Sequence, residues 1–268
     1  MMNKLYYFFL FFALLIFNES VYGKKKELLS YQSVYEISLD NSKERKNTFG
    51  KPVIKEANGE LLMDWFNNCN SWSSNQRMFV NFINSSGVGT VTDINYSLTE
   101  KNNSTSMDFA LQVKENNLLV QRVNGRAERK KNINIQLFDP DEKKFAFNND
   151  VLFPHQHLKL IIDKLGTEKN IFSHKLYEGS LPEKYLNIST FISQESVINK
   201  SKFIPKEIDN VFWDVRMAYY EEKKQVPEME LTLKLNRQGV ITFYKYDYPD
   251  YSLIMKLKKI IISPSNCN

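Results

Sequence analysis

Apolar and polar residues alternate with a period of two along most of the chain, as strands with one buried face require. Tyr31, Tyr35, Ile37 and Leu39 share one face, and Met107, Phe109, Leu111 and Val113 repeat the pattern with Asp108 and Gln112 turned outward. Ile133, Ile135 and Leu137 alternate with Asn134 and Gln136. Toward the C-terminus Trp213, Val215, Met217 and Tyr219 form one such face. Met229, Leu231, Leu233 and Leu235 form the next, backed by Glu230, Thr232 and Lys234. Gln238-Gly239 predicts a turn into a strand over 240–246, followed by another over 251–257. The rule gives about a dozen strands in all.

One segment breaks the alternation. Between Asp150 and Gly166, the residues Leu158, Ile161, Ile162 and Leu165 recur at i, i+3, i+4 and i+7. Pro154 suits a first helical turn and Gly166 a stop, so the spacing predicts a helix. Its packing face comprises Phe153, Leu158, Ile161, Ile162 and Leu165. A lone amphipathic helix in a chain of strands is expected to lie in the concave face of a curved sheet and plug it. No repeat or low-complexity linker interrupts the pattern, so residues 24–268 read as a single domain.

The N-terminus reads as an export signal over residues 1–23. Lys4 precedes an apolar run from Leu5 to Phe17, and Val21-Tyr22-Gly23 supplies the cleavage site. About 13 apolar residues are too few for a bilayer core that needs roughly 20. No cysteine follows the run to accept a lipid, so the mature chain is expected to start at Lys24, outside the cytoplasm. In an oxidising compartment the two cysteines, Cys69 and Cys267, are expected to form one disulfide. Closing nearly the whole mature chain in this way contributes up to about 5 kcal/mol in the chain-entropy model. Neither cysteine has a second Cys, a His or a basic cluster nearby in sequence, which favours a structural bond over a reactive or metal-bound thiol.

An apolar content of 42% can fill a core, and an aromatic content of 13% with only 9 Gly and 8 Pro favours strands over disorder. The net charge of +5 is modest, and the Lys residues are scattered among Asp and Glu along most of the chain. Nucleic acid would need a concentrated basic stripe interleaved with aromatics, which is lacking. Lys24-Lys25-Lys26 reads as a solvated end and Arg129-Lys130-Lys131 as a turn, with attraction to an anionic membrane surface as the alternative. Gly87-Val88-Gly89 lacks the third glycine and helix of a phosphate loop and reads as a turn.

Three histidines are available for chemistry: His155, His157 and His174. Residues two apart on a helix lie on different faces, so His155 and His157 do not converge on one ion and are expected to cap, pack or face solvent. No nucleophile-elbow sequence supports Ser-His-Asp catalysis. Asp247 and Asp250 are expected to serve a turn between strands. The residues therefore predict no catalytic site, metal or cofactor.

A set of landmarks resembles the EipB-type cell-envelope integrity proteins of alphaproteobacteria. They are Val34 to Leu39, Gly59 to Trp65 leading to Cys69, Asp150-Val151-Leu152-Phe153-Pro154 with His157-Leu158, and Tyr177-Glu178-Gly179-Ser180. Trp213 to Tyr219, Gly239-Val240 leading to Asp247-Tyr248, and a closing Cys267 complete the set. The resemblance implies a non-enzymatic periplasmic protein with long antiparallel strands coiled as a spiral or overlapped open barrel around a single helix. It also implies a role in envelope integrity and a periplasmic tetratricopeptide-repeat partner. Its cysteine pair maps onto Cys69 and Cys267. Three classes of function follow: a scaffold or adaptor first, then a lipid or lipoprotein carrier with an acyl chain between sheet and helix, and last a hydrolase using His155 or His157.

Overall fold

The computed structural model describes residues 27–41, 52–198 and 204–264. The first half of the chain is a run of antiparallel strands: β1 (Tyr31–Leu39), β2 (Ile54–Asn67), β3 (Ser71–Asn84), β4 (Gly89–Lys101), β5 (Ser106–Glu115), β6 (Leu118–Arg129), β7 (Ile133–Asp139) and β8 (Lys143–Phe147). A two-residue strand β9 (Val151–Leu152) and the helix α1 (Pro154–Lys164) stand at the middle of the sequence. The second half continues with β10 (Ile171–Leu176), β11 (Leu186–Val197), β12 (Val211–Tyr220), β13 (Met229–Leu235), β14 (Ile241–Asp247) and β15 (Ser252–Ile262).

All fifteen strands form one sheet in the order β8-β7-β6-β5-β4-β3-β2-β1-β15-β14-β13-β12-β11-β10-β9. Sequence neighbours pair except for β8 and β9, and β1 joins the halves by pairing with both β2 and β15. The two free edges, β8 and β9, meet at an unsealed seam in a nearly closed, barrel-like sheet. Among the described residues the count exceeds the expected dozen, in part because β8 and β9 are too short to show a periodic pattern.

Alternation places the expected faces inward. Tyr31, Tyr35, Ile37, Met107, Phe109, Leu111, Ile133, Ile135, Leu137, Trp213, Val215, Met217 and Tyr219 are all buried. The interior divides into three clusters. One joins β1–β3 and β11–β15 to Ile161, Ile162 and Leu165, and a second joins β4–β7 to Phe153 and Tyr177. The third gathers Tyr31, Trp65, Trp72, Ile208, Phe212, Val240 and Ile260 at one end. Each such fully buried large side chain contributes about 1.5 to 3 kcal/mol of transfer free energy.

The helix is shorter at its start than the segment from Asp150 suggests. Val151 and Leu152 pair in parallel with Lys175 and Leu176 instead, which satisfies their backbone in the sheet. Phe153 is the extended N-cap residue, Pro154 opens the first turn, and Gly166 follows the end with φ +71.

Candidate functional site: the plugged lumen

An 11-residue helix is marginal by itself in water. The barrel wall holds this one at both ends. Phe153 has no capping side chain, and Glu100 on β4 takes that part. Its carboxylate accepts the backbone N–H of His155 at 2.7 Å, that of Gln156 at 3.3 Å and the hydroxyl of Ser104 at 2.7 Å. Glu100 is wholly buried, and desolvation lifts its pKa to about 7 against the opposing pull of these hydrogen bonds and of Arg129. At the other end Arg237 donates to the Leu165 carbonyl at 2.7 Å with its guanidinium over the Trp213 ring. A carboxyl group at the N-terminus and a guanidinium at the C-terminus both complement the helix dipole.

Arg129 ends β6 at the turn into β7 that its segment predicts, but its side chain is not left in solvent. It is half-buried and donates to the carbonyls of Ser104, Asn149 and Val151 at 3.0, 2.7 and 2.9 Å, and to Gln156 Oε1 at 3.2 Å. Its guanidinium also lies 4.6 Å from the centre of the Phe153 ring. One side chain thus ties the approach to the helix to the wall.

The expected packing residues sit as follows. Phe153, Ile161, Ile162 and Leu165 are buried, while Leu158 is half-buried and packs between two of the core clusters. Gly239, at φ +79, packs beside Leu158 and Ile162, and a Cβ there would stand 3.1 Å from a methyl of Leu28.

The histidines diverge as helical geometry dictates. His155 is 2% exposed and stacks on Trp72, with Trp65 beside it. Burial lowers its pKa to about 4. His157 faces the other way, and its Nδ1 lies 2.5 Å from Nε2 of His174 on β10. Burial lowers these two to about 3 and about 4, so both imidazoles are neutral. The sequence reading missed this pair. Its trace was there, because His174 shares the inward face of β10 with Phe172 and Leu176. Among the described residues no group of three or more His, Cys, Asp or Glu is arranged to hold a metal ion.

The Tyr177-Glu178-Gly179-Ser180 segment leaves β10 and crosses the lumen as a strap. The Tyr177 amide donates to the Leu152 carbonyl at 2.9 Å, Tyr96 on β4 to the Glu178 carbonyl at 2.6 Å, and Gln121 on β6 to the Ser180 carbonyl at 3.0 Å. Gly179 has φ +82 and lies against Phe109 of β5, where a Cβ would stand 2.2 Å from a ring carbon. Only glycine meets both demands.

An apolar cavity of about 100 Å³ opens between the walls, lined by residues including Leu61, Met78, Ile94, Tyr96, Tyr246 and Tyr248. Burial raises the phenol pKa values of these three tyrosines, and the nearby Glu178 carboxyl group adds to the effect. The Glu178 carboxyl is itself raised by burial and accepts a hydrogen bond from Ser180. The space suits a short apolar group and falls below the roughly 300 Å³ of a typical ligand pocket. No residue of α1 lines it.

Other expected features fall in turns. Gly87 to Gly89 joins β3 to β4, and Asp247 accepts from the Ser252 hydroxyl at 2.6 Å beside the β14–β15 turn. Cys69 stands at the β2–β3 turn with φ 67 and is not a free thiol. Its expected partner Cys267, the export signal over residues 1–23 and the Lys24-Lys25-Lys26 run lie outside the described residues.

A solved relative shares this architecture. A crystal structure titled as a beta-barrel-like protein of a domain of unknown function, from Brucella abortus, superposes with a TM-score of 0.80 at 20% identity. The match covers 89% of this chain and 99% of that one. The cell envelope integrity protein EipB of Brucella abortus (strain 2308) is 24% identical over 251 residues, covering 90% of this chain and 86% of the relative. The family model described as EipB-like matches residues 23–264. By this match across nearly its whole length, the chain belongs to the EipB-like family.

Proposed function

We propose that this protein is a non-enzymatic periplasmic component that supports cell-envelope integrity, acting as a scaffold or adaptor for a tetratricopeptide-repeat protein. The observation that carries the reading is the match over residues 23–264 to a family whose curated relative is named for envelope integrity. The placement of the buried polar groups supports it. Glu100 and Arg237 hold the ends of α1, His155 packs on tryptophans, and His157 is turned onto His174. Each serves the interior of the fold. Export to the periplasm rests on the apolar run from Leu5 to Phe17 and its cleavage tripeptide.

The test is a deletion strain scored for detergent sensitivity and complemented with the full gene. Site-specific crosslinking from the outer strands should then capture a tetratricopeptide-repeat protein. Restored resistance with no such crosslink would keep the envelope role and remove the adaptor. Mass determination on the exported protein should find Lys24 as its first residue, and a form retaining Leu5 to Phe17 would remove the cleavage.

A second reading, as a lipid or lipoprotein carrier, would place only the end of an acyl chain in the small cavity beside Tyr96 and Tyr246. In this reading the acyl group would lie against the tyrosines, since no residue of α1 lines the cavity. Mass spectrometry of lipids extracted from the purified protein decides between an occupied and an unoccupied lumen.

A further inference from the structure

The outer face of a barrel-like sheet is ordinarily convex. Across β2 to β6 this one is troughed instead, and the hollow holds about 640 Å³ of open volume. That is the range of ligand sites, and nothing in the envelope role assigns it. The pairing registers show how it is built. Asp64, Asn75, Ser97, Ala110, Asn124 and Asp139 stand in one cross-strand row on the outward face. Leu62, Arg77, Asn95, Gln112 and Arg122 stand in the next. Ser97 and Ala110 are the smallest side chains of the first row and form its floor. Five inter-strand spacings of about 4.8 Å make the row about 24 Å long.

The charge in the trough is largely closed within it. Arg77 makes a two-point bond to Asp93 at 3.2 and 3.1 Å, and Arg122 pairs with Asp139 at 3.3 Å. A polyanion would have to break both pairs. The remaining polar side chains are amides, the Ser97 hydroxyl and, at one end, the Asp64 carboxylate, which would further disfavour a polyanion. Asn75, Gln112 and Asn124 make no side-chain hydrogen bond among the described residues, and Asn95 has given one N–H to Asp93. Each free amide offers donors and an acceptor together, the combination that a sugar hydroxyl or acetamido group requires.

We propose that this trough binds a neutral, hydroxyl- and amide-bearing oligosaccharide laid across the strands from Asp64 toward Asp139. The site is on the outside of the wall and is independent of the envelope-adaptor reading, so either stands if the other fails. Its length accommodates about five sugar units, each spanning about one strand spacing, so a tetramer fits within it.

The test titrates the full exported protein with tetra-N-acetylchitotetraose by calorimetry and by amide chemical-shift mapping, with heparin as a polyanionic comparison. Ala110→Arg fills the floor from an outward-facing sheet position, and Asn95→Ala removes an amide without filling anything. Circular dichroism and melting temperature establish that both variants fold. The expected result is saturable binding with shifts confined to β2–β7, weakened about tenfold or more by each variant. Three results would overturn the proposal: no saturable binding to the wild-type chain, binding undiminished in folded Ala110→Arg, or a preference for heparin over the neutral tetramer. Shifts centred on Tyr96 and Tyr246, without change at Asn75 or Gln112, would also remove it by placing the sugar in the lumen.

Discussion

Glu100 Oε2 accepts the amide of His155 at 2.7 Å, so a carboxyl group from β4 does for α1 what its own N-cap residue does not. The position is buried, and the pKa of about 7 means that Glu100 is half-protonated near neutrality. A folded-state pKa above the ordinary value of 4.5 makes the folded protein bind more protons than the unfolded chain between pH 4.5 and 7. This group alone therefore lowers stability as pH rises through that window.

Glu100→Gln keeps an acceptor for the His155 amide and removes the titration. The variant should match the wild type near pH 4.5 and gain on it up to pH 7 and above, by up to about 3 kcal/mol. Urea unfolding at a series of pH values measures the difference. A gap that does not widen with pH would place the Glu100 carboxyl in a more polar setting than its burial implies.

The three histidines act in the opposite sense. Their folded pKa values of about 4, 3 and 4 lie below the ordinary 6.5, so the unfolded chain binds more protons between pH 4 and 6.5. Their contribution is present above pH 6.5 and is lost as pH falls. Three such groups outweigh one Glu100, and the wild-type protein should lose stability on acidification from pH 6.5 to 4. His157→Phe should flatten that slope and still restore detergent resistance in a deletion strain. A folded, normally abundant His157→Phe protein that fails to complement would point to a histidine-dependent activity.

Ile162→Ala and Leu165→Ala empty space between the helix and the first core cluster. Each should cost roughly 2 to 5 kcal/mol, with the larger loss at the fully buried Leu165. Thermal unfolding of the two variants checks the order.

Gly179→Ala should destabilise the strap by roughly 1 to 3 kcal/mol of backbone strain, and by more through its collision with Phe109. Phe109→Leu in the same chain should recover part of that loss by opening room for the Cβ. Additive losses in the double variant would show that the strap does not rest on this ring.

Cys69→Ser should lower stability by no more than about 5 kcal/mol, since the expected bridge to Cys267 acts chiefly on the unfolded chain. Thiol labelling under denaturing, non-reducing conditions should find no free sulfhydryl in the exported protein. Two labelled cysteines would reject the bridge.

Strands such as β5 were legible because Met107, Phe109 and Leu111 alternate with outward residues, and one buried face is enough to write that pattern. The helix was legible from its spacing. What holds it was not. Glu100 stands 55 residues from His155 in sequence and Arg237 stands 72 from Leu165, and no local period records a hydrogen bond made across a lumen. The His157–His174 pair joins a helix to a strand, so neither a period of two nor one of 3.6 marks it. Gly179 carried a faint trace in its tetrapeptide, but the ring that confines it belongs to a strand 70 positions earlier.

The pairing of β1 with β15 has a consequence for the order in which the barrel is made. As the chain is made N-terminus first, β1 meets β2 at once but waits for its other neighbour until the C-terminal strand arrives. Until then the growing wall has an exposed edge at β1, open to pairing with other chains. Closure across more than 200 positions is a high contact-order event, expected to be slow compared with the hairpins already formed. The period of greatest risk for aggregation should therefore fall just before β15 is released, which makes a holding chaperone more valuable to this protein while the chain is incomplete than afterward.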